Sequence, residues 1–246
     1  MTTPRGTVLR CFSSPVMLAT FIIETVLAVY TVWRYKLDAL GKLVVISLLT
    51  LGFFQLAEFH VCTGFGALSA ADWSRAGFVA ITLLPPLGLH ILHVLAKKKT
   101  GWTVPVAYAT MTAFVGYFLF ASTAFEGYAC TGNYVIFQIG NGPAVAYAFY
   151  YYGWLLISML LGVRWANQQV ASQKTDAKSR LAAIRGLIIG YMVFLVPTAL
   201  ANSINPATRR GIPSVMCGFA VLFALILTFY ILPRLGVRRH KLDAKA

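Results

Sequence analysis

Charge is scarce in this chain. Only 11% of its 246 residues are Asp, Glu, Lys or Arg, against about 25% in an ordinary soluble domain. Acid is scarcest: seven Asp and Glu stand against 21 Lys and Arg, a formal net charge of +14. Hydrophobic residues make up 59%. That balance is solvated only if much of the apolar surface faces lipid. The four cysteines are too sparse for a disulfide scaffold and show no CxxC spacing. No Ser-His-Asp order, Gly-rich phosphate loop or HExxH motif occurs. No apolar run has a lysine in its centre, which excludes a retinal Schiff base, and none bears rows of arginine, which excludes a voltage sensor. No segment alternates with period two, against a membrane barrel. In a soluble protein the positive charge would suggest nucleic acid. Here the basic residues sit between hydrophobic runs, so they read as loops beside an anionic leaflet, with no nucleic-acid partner.

What the chain does have is long apolar runs. About 20 apolar residues cross a bilayer as a helix. Seven runs qualify, at roughly 15–33, 43–63, 76–96, 102–122, 143–163, 183–204 and 212–233. The expected fold is therefore all-α, a polytopic membrane protein with a seven-transmembrane-helix bundle. A single membrane domain spans 1–246, and 234–246 form a basic cytoplasmic tail. Arg5 and Arg10 resemble a signal n-region, but no Ala-x-Ala site closes the first run, which continues to Trp33.

Orientation follows from the basic residues. With the N-terminus outside, only Arg5, Arg10, Arg75, Arg209 and Arg210 of the 21 Lys and Arg fall outside. Every inner loop is enriched, so the expectation is N-terminus outside, C-terminus inside, in the cell (inner or plasma) membrane. Trp33, Trp73, Trp102 and Trp165 near helix ends suit interfacial anchors.

This topology puts all four cysteines at the outer end. The repeated Cys-Thr-Gly at Cys62 and Cys130 makes that pair the natural bridge in an oxidising compartment. Cys11 and Cys217 form the second candidate pair, and four unpaired thiols are the alternative. Pro85 and Pro86 inside the third run free backbone carbonyls there, and Pro197 does so in the sixth. The longest outer loop, about 123–142, is a candidate cap over a pocket.

The stretch 51–62 carries the most chemistry. An ionisable residue at membrane depth is costly and so marks a candidate site. Glu24 lies mid-run in helix 1 and Glu58 in the outer part of helix 2. Gln55, Glu58 and Cys62 are spaced i, i+3, i+7 and share one helix face. If Glu24 turns toward that face, two carboxyls meet where both cannot easily stay charged. A proton, a metal or a cationic ligand is the natural third party, with Pro85 lining the same space. The plainer alternative is a protonated carboxyl in an interhelical hydrogen bond. His60 stands about 200° from Glu58 around the helix, so the two are no joint ligand pair. His90 and His93 share a face of helix 3, but at a different depth from His60. All three histidines are weak metal candidates, since a site needs three or four protein ligands.

Three fragments carry a resemblance: Cys11-Phe12-Ser13 before helix 1, Gln55-x-x-Glu58 in helix 2 and Ser214-Val-Met-Cys217 in helix 7. Together they resemble a bacterial family of seven-helix membrane proteins without an established function. That family begins Met-Cys-Phe-Ser, carries Gln-Gln-x-x-Glu-Gly in helix 2 and has Ser-x-x-Cys-Phe in helix 7. This chain departs from it in a longer N-terminus and in His60 and Cys62. The segment from Trp73 to Leu89, with its double proline, is similar to the seven-helix sensor region of bacterial histidine kinases. The resemblance implies an outer pocket built from Cys11, Gln55, Glu58 and Cys217, and no reaction.

The first expectation is a non-enzymatic, receptor-like sensor module. It would bind a small ligand, proton or metal in the outer half, and read out through a membrane or cytoplasmic signalling partner. The second is an intramembrane metal-dependent lipid hydrolase. The third is a small transporter or a subunit of a larger membrane complex. The lipid bilayer is the one partner common to all three, and no cofactor is indicated.

Overall fold

The protein is described by a computed structural model covering residues 13–65, 67–122, 124–125, 127–130, 135–171, 176–204 and 212–236. Seven helices run through it: α1 (Ser14–Arg34), α2 (Ala39–Thr63), α3 (Ala70–Ala96), α4 (Thr103–Phe120), α5 (Asn141–Val170), α6 (Ala177–Ile204) and α7 (Ile212–Leu235). All seven are long and apolar enough to cross a membrane. Two short antiparallel strands, β1 (Gly127–Cys130) and β2 (Val135–Gln138), form a hairpin between α4 and α5, with Cys130 opposite Val135.

Helix ends differ from the apolar runs where polar residues extend a helix. α3 starts at Ala70, six residues before its run. Ser69 accepts from the Asp72 N–H while Asp72 bonds back to the Ser69 N–H, a reciprocal cap. Asp72 and Arg75, read as loop residues from sequence, are therefore helical. Arg75 reaches across and donates to the carbonyls of Phe118 (2.8 Å) and Ala121 (2.9 Å). It thereby satisfies carbonyls that the end of α4 leaves without an intrahelical partner. α2 starts at an Asp38 cap and stops at Gly64, whose φ of +65° few other residues adopt.

Packing follows burial. α2 and α3 are the most enclosed helices. α1 and α7 flank α2, while α4, α5 and α6 lean on α3. Large apolar side chains such as Ile22, Val26 and Val29 of α1, and Phe149, Leu156 and Leu160 of α5, point outward. An apolar periphery of this kind suits lipid, where water would penalise it. Between α6 and α7 the close approach depends on Gly186 and Gly190. A Cβ on Gly190 would stand 2.5 Å from Phe223 Cδ2, and one on Gly186 2.7 Å from Tyr230 Cδ1. Small residues four apart let membrane helices meet this way. Near its end α7 loosens into a π-helical segment, Ile226–Ile231, where the Leu232 N–H bonds Leu227 five residues back.

The two ends of the bundle differ. At one, Asp176 accepts from Lys97 Nζ (3.1 Å) and Arg180 Nε (2.8 Å), and Arg180 also caps α3 through the Leu95 carbonyl. At the other, the hairpin packs inward with Val135 and Phe137 buried. Phe137 meets Phe54 of α2 and Phe78 of α3, and Phe78 also touches Phe118 and Phe125. The expected Cys62–Cys130 disulfide is present and ties the hairpin to the end of α2. Of the second expected pair, Cys217 is a buried thiol and Cys11 lies outside the described residues. The tail beyond residue 236, Arg209 and Arg210, and most of the α5–α6 connection also lie outside them.

Candidate functional site

The double proline of α3 shows how sequence becomes a polar contact. Proline at position 86 has no N–H for the Thr82 carbonyl, four residues back. Tyr150 of α5 donates its hydroxyl to that carbonyl at 2.6 Å, and Thr82 Oγ1 lies 3.1 Å from the Tyr147 hydroxyl. The helix therefore runs unbroken through Pro85 and Pro86, with α5 supplying a lost partner. Sequence reading had the freed carbonyl but not its donor, which comes from the Tyr-rich start of α5.

The carboxyls lie on the other side of the core. Glu24, Gln55 and Glu58 are all buried, with 0%, 2% and 1% of their surface exposed. Gly52, Gln55 and Glu58 follow one stripe of α2 at intervals of three. Glu24 of α1 sits over that stripe: a Cβ on Gly52 would be 3.5 Å from Glu24 Cβ and 3.6 Å from its Oε2. Helical side chains lean toward the N-terminus, so Glu58 leans back along the stripe toward Gln55. Among the described residues, both oxygens of Glu24, both oxygens of Glu58 and Nε2 of Gln55 have no hydrogen-bond partner. Five unpartnered polar atoms where α1 meets this stripe of α2 are unusual, because buried polar groups are nearly always bonded. An unpaired carboxylate at this burial costs several kcal/mol, so each acid needs a proton or a cation.

α7 closes the site with Ser214 and Cys217. Ser214 lies beside the Glu58 carboxyl without closing a bond of good geometry. Its Oγ accepts from the Val135 N–H of the hairpin at 3.2 Å. One side chain thus touches the hairpin and faces the acid. Cys217, one turn on, is a buried thiol. The sequence alone gives Ser214 no role beyond its place in the Ser214-Val-Met-Cys217 fragment.

Pro85 is buried on α3. A cavity of about 30 Å³ sits further from the hairpin, among Ser47, Leu84, Gly88, Tyr191 and Cys217. It reaches α3 on either side of the double proline.

The histidines stay apart. His60 is half-buried, donates from Nδ1 to the Leu56 carbonyl at 2.8 Å and stacks on Trp73 at 4.2 Å. His90 pairs with the Tyr108 hydroxyl at 3.2 Å. His93 donates to the Leu89 carbonyl and packs edge-on against Trp165. Among the described residues no three His, Cys, Asp or Glu side chains converge as a metal ion would require.

No protein-family model and no curated protein sequence matches this chain.

Proposed function

We propose that this chain is a non-enzymatic, receptor-like module of the cell membrane, with its N-terminus outside and its C-terminus inside. It takes up a proton or a small cationic ligand at Glu24 and Glu58, under the hairpin. The observation that carries the reading is the set of five buried, unpartnered atoms on Glu24, Gln55 and Glu58. A positive third party answers all four carboxyl oxygens, and Gln55 Nε2 then donates to whichever oxygen remains free. The basic ends of α1, α3, α5 and α6 support the inside assignment of the end opposite the hairpin. α7 is the natural transmitter, since it carries Ser214 and Cys217 at the site and runs to the basic end. Readout passes to a signalling partner there. Among the described residues the histidines are dispersed and give the lipid hydrolase no ligand set, which favours binding over catalysis.

Infrared spectroscopy of the full chain in lipid nanodiscs tests the reading. Protonated carboxyl C=O bands should lose one component each in Glu24→Gln and Glu58→Gln, or be replaced by carboxylate bands that respond to an added monovalent cation or small amine. Two ionised carboxylates indifferent to every such addition would sink it.

A further inference from the structure

The acid pair borders a second, larger space. A groove of about 620 Å³ runs along one flank of α1, α2 and α3. Phe21 and Thr25 of α1, Leu49 and Phe53 of α2, and Val79 and Leu83 of α3 line it, and none of its lining side chains is charged. That volume is in the range of small-molecule sites, about 300–1,000 Å³. The groove opens on the apolar periphery, where Ile46, Leu49 and Phe53 are exposed. It also shares a wall with the acid site. Phe21 Cδ2 stands 3.5 Å from the place a Cβ on Gly52 would take, and Glu24 Oε2 is 3.6 Å from the same place. Gly52 puts no side chain there, so the Phe21 ring edge and the Glu24 carboxyl approach across it. Neither acid has a basic partner: both ion pairs among the described residues lie at Asp176.

We infer that the ligand of the acid site is a lipophilic amine, which enters sideways from the bilayer through this groove, keeps its apolar body there and places its nitrogen at Glu24. The inference rests on the proposal that Glu24 and Glu58 take up a proton or a cation. Charge complementarity selects the occupant. A lipid chain alone would fill the groove but leave the four buried carboxyl oxygens unanswered. A small inorganic cation would answer them but leave the groove without a role. A charge at membrane depth is costly, so the amine travels as its neutral base. At the site the protonated Glu24 carboxyl gives its proton to the nitrogen, whose lone pair forms the new N–H bond. An ammonium and a carboxylate result, paired, with no other reactant and no change in net charge. Phe21 is half-buried, and turning its ring about the side-chain bonds opens the way past Gly52.

The experiment uses the full chain in lipid nanodiscs, read by infrared spectroscopy with empty nanodiscs subtracted. Dodecylamine should replace the protonated C=O band that Glu24→Gln identifies with a carboxylate band. Methylamine, which has no body for the groove, should need at least about tenfold more, given about 0.8 kcal/mol per buried methylene. Dodecanol, which carries no base, should leave the band unchanged. Leu49→Trp enlarges an exposed side chain at the rim, and should weaken dodecylamine about tenfold, or about 1.4 kcal/mol, with methylamine as in wild type. Ile46→Trp repeats the test at the same rim, and the Glu58 band reports that each variant is folded. Leu160→Trp, on the apolar face of α5, should match wild type. A Glu24 band indifferent to dodecylamine, or removed equally well in both rim variants, overturns the inference while the proton reading stands. Carboxylates already ionised before any addition also overturn it. If they ignore every added cation as well, the acid-site reading falls with it.

Discussion

Single residues decide the polar interior. Tyr150 answers a carbonyl that Pro86 leaves without its helical donor, so Tyr150→Phe should destabilise the protein by about 1 kcal/mol, the scale of an interhelical hydrogen bond in a membrane bundle. Thermal unfolding in a mild detergent measures it. Gly190→Leu forces a side chain into the Phe223 ring and should cost about 1–3 kcal/mol as overpacking, with Phe223→Ala recovering part of it. At the basic end, hydrogen bonds from Arg180 and Lys97 hold the Asp176 carboxyl down to about 2, below its usual 3.8. A lowered carboxyl means the folded state binds fewer protons than the unfolded one in that window. The contribution is complete above about pH 4 and is lost as pH falls through about 2. Asp176 is exposed, so the effect is small and screened by salt. An NMR titration should place its midpoint near 2, and Arg180→Gln should raise it. The acid stripe was legible at this scale, because the spacing of Gln55 and Glu58 is a property of any helix. The positions of Ser214 and Tyr191 were not, because they depend on where α6 and α7 come to rest.

At the scale of elements, hydropathy located every helix and misplaced several ends. α3 begins at a cap whose residues, Ser69 and Asp72, are polar. α5 and α6 run past their apolar runs through Arg164, Lys178 and Arg180, where a lipid-length criterion stops too early. The hairpin left little trace: Gly-Tyr-Ala-Cys and Val-Ile-Phe-Gln are too short to show alternation, though the disulfide that fixes them was readable from the repeated Cys-Thr-Gly. Cutting that tie has a specific expected outcome. Cys130→Ser should raise amide exchange across 127–138 and weaken the Val135–Ser214 bond, while α1 to α4 keep their protection. Loss of protection throughout the bundle would make the bridge a global staple instead of a local tether.

For the whole molecule, the proposed topology, which rests on the asymmetry of charge, can be mapped directly. Ser69→Cys in a Cys11→Ala, Cys217→Ala background should label with a membrane-impermeant maleimide on intact cells. Lys98→Cys should label only after permeabilisation. The reverse pattern would invert the bundle and put the carboxyl site on the inner side. Composition alone points to seven helices long and apolar enough to cross a membrane, and the structure has them. The interior chemistry was beyond it, since seven helices of the same hydropathy can turn many faces inward.

The π segment of α7 sets a phase. Each residue advances an α-helix by about 100°, and a π turn absorbs an additional one. Ser214 and Cys217 therefore look toward the acids while, within the wide turn, Tyr230 looks toward Gly186. Remove one residue between 226 and 231 and the two halves can no longer both face their partners. The wide turn is a splice between two surfaces with different alignments, and sliding it by a residue would rotate one end of α7 against the other without unfolding either.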